Sequence, residues 1–185
     1  MPQKIDSSKP FVFSGTPLTP NKTALDFWRW ALSDTSQNIT RGILAEYIVA
    51  LAINADAKPR DPWRSWDLEK GDFKIEVKNT SETQAWSSKK KTRLSVTISL
   101  AKEYATATGK YLEPPKLNAH AYVICYLRGD KPDPFDVSQW TFYVLPQEEV
   151  RRRMQNKKTA KIYIDELPNP LNFSQLDAQI TKTKK

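Results

Sequence analysis

Trp66-Asp67-Leu68-Glu69-Lys70-Gly71-Asp72-Phe73-Lys74-Ile75-Glu76-Val77-Lys78 decides how this 185-residue chain is read. Alternation of apolar and polar residues marks a strand whose successive side chains point to opposite faces. Ile75 and Val77 therefore share one face, and Lys74, Glu76 and Lys78 share the other. Gly71 can adopt the positive φ needed at the first central position of a type II′ turn, so Gly71-Asp72 is read as a two-residue hairpin loop. That register sets Lys70 opposite Phe73 and, counting outward, Asp67 opposite Glu76. Directly opposed residues have Cβ atoms about 4.5 to 5.5 Å apart, which brings two carboxylates and the Lys78 ammonium together. A Lys70-Gly71 loop sets Asp67 against Lys74 instead. Opposed carboxylates repel, and a divalent cation is a natural compensation.

A helix is expected just before, over residues 40–54. From Ile43 to Ile53 every residue except Glu46 is apolar or aromatic, the pattern of a helix buried on nearly all sides. A carboxylate buried there requires a cation, a hydrogen-bond donor or a metal-bound water. The structural alternative is a pair with Arg41 or with a backbone amide at the helix start.

Further out, residues 1–22 hold four prolines and no sustained period, which reads as an arm laid on the surface. Residues 23–185 read as one domain, with a basic tail at 181–185. Thr23 and Asp26 form a capping-box pattern ahead of a first helix. Strands are expected at 65–69, 73–79, 92–100, 121–127, 140–145 and 161–164, a helical turn or short helix at 102–110, and a C-terminal helix at 174–180. Pro146 is expected at the first position of another helix. Helices interspersed with strands in this way give an α/β or α+β domain on one mixed sheet.

The helix acid, the hairpin acid and Glu76-Val77-Lys78 together resemble the PD-(D/E)xK nuclease superfamily, the restriction-endonuclease-like fold. The resemblance covers residues 40–100 well and the remainder by strand order. It implies a central mixed β-sheet flanked by helices in the core order α-β-β-β-α-β. It also implies a Mg²⁺-dependent nuclease acting on nucleic acid, with DNA favoured, Mn²⁺ able to substitute for Mg²⁺, and a homodimer compatible. In that scheme Glu46, Asp67, Glu76 and Lys78 are catalytic. Asp67, Glu76 and the Val77 carbonyl hold the metal, with Glu46 acting through a water or on a second metal. The four side chains are then expected around a single cleft. A protein that binds nucleic acid or serves in assembly on the same fold, without catalysis, is the alternative.

The composition narrows the chemistry. There are 29 Lys and Arg against 21 Asp and Glu, a net charge of +8 that suits a polyanionic partner. With one Cys (Cys125) and one His (His120), multi-cysteine zinc sites and two-histidine metal sites are excluded, so carboxylates and lysines must carry any catalysis. Gln84, Trp86, Lys89, Lys90, Lys91 and Arg93, just beyond the signature strand, and Arg151, Arg152 and Arg153 are candidate nucleic-acid contacts. His120 and Cys125 read as structural. No apolar run reaches the roughly 18 residues of a membrane helix, and residues 1–10 lack the apolar stretch of a secretory signal. A cytoplasmic protein with no membrane partner is expected.

Overall fold

The computed structural model describes residues 4–56, 58–83, 93–105 and 107–184. They form a mixed α+β structure with four α-helices and several sheets rather than the one mixed sheet expected, and no described helix separates the third long strand from the next, so the order α-β-β-β-α-β is not reproduced. The N-terminal segment carries a two-residue hairpin, β1 (Val12–Phe13) and β2 (Thr16–Pro17), then α1 (Ala24–Leu32). Every described residue up to Lys22 is exposed, and α1 has no buried residue. The expected capping box is present: both the Thr23 amide and its hydroxyl donate to Asp26 at 2.9 Å.

Helix α2 (Asn38–Ala52) stops where Asn54 turns to φ +57°. The Asn54 and Ala55 amides then return to the Leu51 and Ala50 carbonyls at 3.3 and 2.8 Å, the two bonds of a Schellman stop. The helix is not buried all round, as its composition suggests. Ala45, Ile48, Val49 and Ile53 enter the core, while Ile39, Tyr47 and Leu51 are exposed.

The hairpin folds in the expected register. Strand β3 (Leu68–Lys70) pairs antiparallel with β4 (Phe73–Ser81), Lys70 stands opposite Phe73, and Gly71 has φ +61°. A two-stranded unit follows from β5 (Ser95–Ser99), which pairs later in the chain with β10 (Thr159–Tyr163). Among the described residues of 102–110 there is no helix, only a single turn in which the Thr108 and Gly109 amides donate to the Ala105 carbonyl at 3.0 and 2.9 Å. They contain β6 (Tyr104–Ala105), which pairs with β7 (Lys110–Tyr111). Gly109 at φ +66° closes that hairpin and the Tyr104 and Tyr111 rings meet edge to face at 5.2 Å, a cross-strand contact that a helix could not make.

Strand β8 (Ala121–Leu127) lies parallel to β4, and β9 (Trp140–Pro146) lies antiparallel to β8, so the main sheet runs β3-β4-β8-β9. Pro146 ends β9 opposite Ala121 and caps α3 (Gln147–Met154), one position earlier than expected. Its extended ψ of 156° continues the ladder rather than starting the helix. Helix α4 (Leu176–Lys182) closes the described chain.

Alternation gives the sheet two buried faces. On one, Phe73, Ile75, Val77, Val123, Cys125, Trp140 and Phe142 pack under α2 and α4. On the other, Tyr122, Ile124, Tyr143 and Leu145 pack against Val150 and Met154 of α3 and against Val96, Ile98, Ala160 and Ile162 of the β5–β10 unit. Each fully buried aliphatic chain of this kind contributes about 1.5 to 3 kcal/mol. No described helix is long and apolar enough to cross a membrane.

Candidate functional site

The site forms where β3 leaves β4. The ladder ends at Leu68 opposite Ile75, one pair short of Asp67 and Glu76. The Asp67 amide donates to the Ile75 carbonyl at 3.0 Å, and the Val77 amide donates to Asp67 Oδ2 at 2.7 Å. The Asp67 carboxylate thus takes the edge hydrogen bond that a further β3 residue would have accepted. The N–H and C=O of one strand residue point toward the same neighbour, so the Val77 carbonyl also faces the edge that β3 has left.

Glu46 reaches this edge from α2. Its partner is neither Arg41 nor a residue of the hairpin but Arg60, from the segment between α2 and β3: Arg60 Nη2 donates to Oε1 at 2.9 Å, and Nε donates to Oε2. The Glu46 side chain is 13% exposed and that of Arg60 is 42% exposed, so the pair stands at a mouth rather than in the core. Arg41 does other work. It is 2% exposed and donates to Asn79 Oδ1 at 3.1 Å and to the Ser36 carbonyl at 3.0 Å, tying the start of α2 to the end of β4. Gly42 eases this approach, because a Cβ there would lie 3.2 Å from Asn79 Nδ2 and push that amide by a few tenths of an ångström.

Glu76 and Lys78 project from the opposite face of β4, beside Tyr122 and Ile124 of β8. Lys78 Nζ donates to Glu76 Oε1 at 2.5 Å. The expected single cleft is instead two that adjoin. Glu46, Asp67, Val77, Lys78, Asn79, Arg60 and Thr97 line a cleft of about 420 Å³. Glu76, Lys78, Thr97, Asn118 and Tyr122 help line a side cleft of about 200 Å³. Lys78 and Thr97 border both. Glu46 comes from the α2 face and Glu76 from the other, and their fields meet around the open edge of β4.

The electrostatics register that meeting. Burial, followed by the charges of Glu76 and Glu46, pushes the Asp67 pKa from 3.8 up to about 7, against the opposing Val77 hydrogen bond and Lys78 charge. Burial works against the charged form of Lys78, but the Glu76 ion pair and the charges of Asp67 and Glu46 outweigh it and raise its pKa. The Arg60 pKa is raised by its hydrogen bonds to Glu46. Cys125, fully buried beneath the site, is raised by burial and then by Asp67 and Glu46.

Among the described residues, no three Asp, Glu, His or Cys side chains gather closely enough to hold a metal ion. Arg60 engages Glu46, Lys78 engages Glu76, and the Val77 amide engages Asp67. The donor set nevertheless fits Mg²⁺, a hard cation that takes oxygen ligands and needs only one or two carboxylates beside its waters. Asp67, Glu76 and the Val77 carbonyl are such donors. Burial first, and then the charges of Glu76 and Glu46, raises the Asp67 pKa, so a cation beside it would relieve the site.

The remaining sequence candidates are scattered. Gln84, Trp86, Lys89, Lys90 and Lys91 lie outside the described residues. Arg93 pairs with Asp165 and Glu166 and stacks 3.8 Å over the Tyr163 ring, joining β5 to the end of β10. On α3, Arg151 donates to Gln147 Oε1 at 3.0 Å, while Arg152 and Arg153 both bond Glu149. His120 is structural as expected: its Nδ1 accepts from the Lys74 amide at 2.9 Å and its ring stacks on Phe73. Arg60 and Asn79 are the site residues that the sequence reading missed. Arg60 is a cation in the segment joining the Glu46 helix to Asp67, and Asn79 directly follows the Glu76-Val77-Lys78 triplet. No protein-family model matches the chain, and no curated protein matches it.

Proposed function

We propose that this protein is a metal-dependent nuclease of the restriction-endonuclease-like architecture, hydrolysing phosphodiester bonds of DNA. The observation that carries the reading is the edge of β4, where a buried Asp67 feels both Glu46 and Glu76 beside Lys78. Structural ion pairs neutralise charge, whereas this edge keeps a carboxylate that is electrostatically undersupplied.

Asp67, Glu76 and the Val77 carbonyl would hold Mg²⁺, which in such sites lowers the pKa of a bound water and neutralises charge on a phosphate. The chain's own groups do the rest. The Val77 amide orients the Asp67 carboxylate. Lys78, held protonated by its acidic neighbours, meets the negative charge that builds on the phosphate. Glu46 holds Arg60 at the mouth, where the guanidinium faces an arriving polyanion.

The test is Glu76→Gln, which keeps size and strand pattern while deleting a charge. DNA affinity without divalent metal should stay level or rise, and cleavage in Mg²⁺ should fall by orders of magnitude. Equal cleavage by the variant, or none by the wild type on any DNA or RNA in Mg²⁺ or Mn²⁺, would refute the mechanism. A second reading, a non-catalytic nucleic-acid-binding protein on the same fold, is favoured by Glu46 and Glu76 approaching from opposite faces of β4 and lining different clefts, the arrangement that counts against catalysis, and by the pairing of Glu46 with Arg60 and Glu76 with Lys78, which needs no metal. It predicts salt-sensitive binding with no cleavage.

A further inference from the structure

The β5–β10 ribbon turns its apolar side inward, where Val96, Ile98, Ala160 and Ile162 are buried in the core. Side chains directly opposed across an antiparallel pair share a face. The register Ser95–Tyr163, Thr97–Lys161 and Ser99–Thr159 therefore sets those six residues on the outer face. Ser95 and the exposed Thr97 line the main cleft together with Asp67 and Lys78. Lys161 stands beside Thr97, with Cβ atoms about 4.5 to 5.5 Å apart, one strand beyond that cleft.

The charge on this face is not spent inside the fold. Residues 151–164 hold six Lys and Arg and no acid. The three arginines turn back to Gln147 and Glu149. Lys157, Lys158 and Lys161 are exposed and pair with no acid among the described residues. Gln155 and Asn156, at φ 49° and 66°, turn the chain out of α3, so that Lys157 and Lys158 stand at the bend entering β10. The Lys161 ammonium lies 5.2 Å from the centre of the Tyr163 ring, which holds it along the face. Toward the side cleft the lysines are compensated instead: Lys74 and Lys116 pair with Glu103, and Lys102 pairs with Glu113.

We propose that the outer face of the β5–β10 ribbon carries the DNA backbone away from the cleft, with Lys161 and the Lys157–Lys158 bend holding successive phosphates on one side of the scissile bond. This deepens the nuclease reading and rests on it. A phosphate at Lys78 lies beside Thr97, and the next cation across the ribbon is Lys161. From Lys161 back to Lys158 the chain covers about 10 Å at the strand rise of about 3.4 Å per residue. That length matches about three phosphates of one strand at about 3.4 Å of helix axis each. Such contacts fix the position of the backbone and carry no sequence information. The acids that end this face, Asp165 and Glu166, are both engaged by Arg93, so they do not oppose the path.

The test titrates the full chain with a fluorescein-labelled DNA duplex at several salt concentrations, without divalent metal. Lys161→Ala should flatten the log-log salt slope by about one unit, and the double variant Lys157→Ala, Lys158→Ala by about two. The double variant Lys182→Ala, Lys184→Ala removes the same charge as the latter from the end of α4, which packs on the other face of the main sheet, and should leave the slope as it is. All five lysines are exposed, so the substitutions empty no part of the core. If either ribbon variant keeps the wild-type slope, or if the α4 pair flattens it as much, the backbone path falls, and cutting of the duplex by the wild type in Mg²⁺ then leaves the nuclease reading standing. If the ribbon variants alone flatten the slope while the wild type cuts no DNA in Mg²⁺ or Mn²⁺, the nuclease reading falls and the path stands. A wild type that binds no DNA overturns both.

Discussion

Replacing Asp67 by Asn removes the charge at the centre of the site while an amide oxygen can still accept from the Val77 amide. The wild-type carboxyl titrates near 7 in the fold, against an ordinary 3.8. At about 1.4 kcal/mol per pKa unit, holding it ionised in the native protein costs on the order of 4 kcal/mol. The sign follows from proton counting. Between about pH 4 and 7 the native state retains a proton that the unfolded chain has lost, so this group's contribution to stability falls as pH rises and levels off above 7. Asp67→Asn carries no such charge. It gives up a charge-assisted hydrogen bond for a neutral one, about 1 kcal/mol, so it should be roughly 2 to 3 kcal/mol more stable than wild type at pH 8. That advantage should shrink to below about 1 kcal/mol at pH 5 and be gone near pH 4. Urea unfolding followed by tryptophan fluorescence at pH 5, 6.5 and 8 measures it, and the difference between the two proteins cancels the titration of every group they share. A variant less stable than wild type at pH 8, or a difference independent of pH, would show that burial and the Glu76 and Glu46 charges do not penalise an ionised Asp67.

Lys78→Ala should lower the cleavage rate by orders of magnitude while Mg²⁺ binding, read by calorimetry, is retained; lost metal binding would move Lys78 from catalysis to assembly of the site. Arg60→Ala should cost no more than about 1 kcal/mol of stability, because its pair with Glu46 is solvent-screened, and should reduce the salt slope of DNA binding by about one unit. An unchanged slope would confine Arg60 to its bond with Glu46. Arg41→Ala should destabilise the protein by at least about 1.5 to 3 kcal/mol, the scale of a hydrogen bond made by a charged group, and thermal melting within about 2 °C of wild type would contradict the anchoring described here. Replacing Lys89, Lys90 and Lys91 together by Ala should flatten the same log-log slope by up to about three units; no change would return that cluster to plain solvation.

Local rules read directly from the residues account for several parts of the molecule. The Gly71-Asp72 loop with its Lys70–Phe73 register, as one of two readings, the division of β4 into an apolar and a charged face, and the Thr23–Asp26 capping box each follow from a few neighbouring residues. Strand β8 was legible for the same reason, its residues being apolar without interruption. Glu46 meets a cation as its burial requires, but which cation was not legible, because ion pairing depends on where a loop returns in space: Arg60 is 14 residues away and no period relates the two. Composition also overstated the burial of α2, since Tyr47 and Leu51 are exposed on its outer side and no sequence rule says which apolar residues a single sheet face will cover.

The sequence alone determined that Glu76 and Lys78 share a face, because strand alternation acts within a few residues, and it left two hairpin registers for Asp67, between which the structure chose the one with Lys70 opposite Phe73. Tertiary structure alone decided that β3 ends before Asp67, that the Asp67 carboxylate caps Val77, and that β5 crosses the charged face of β4 to divide the expected single cleft into two. Those outcomes depend on packing between segments far apart in the chain, where what decides is the competition for buried area and for hydrogen-bond partners, and neither leaves a local pattern in the residues.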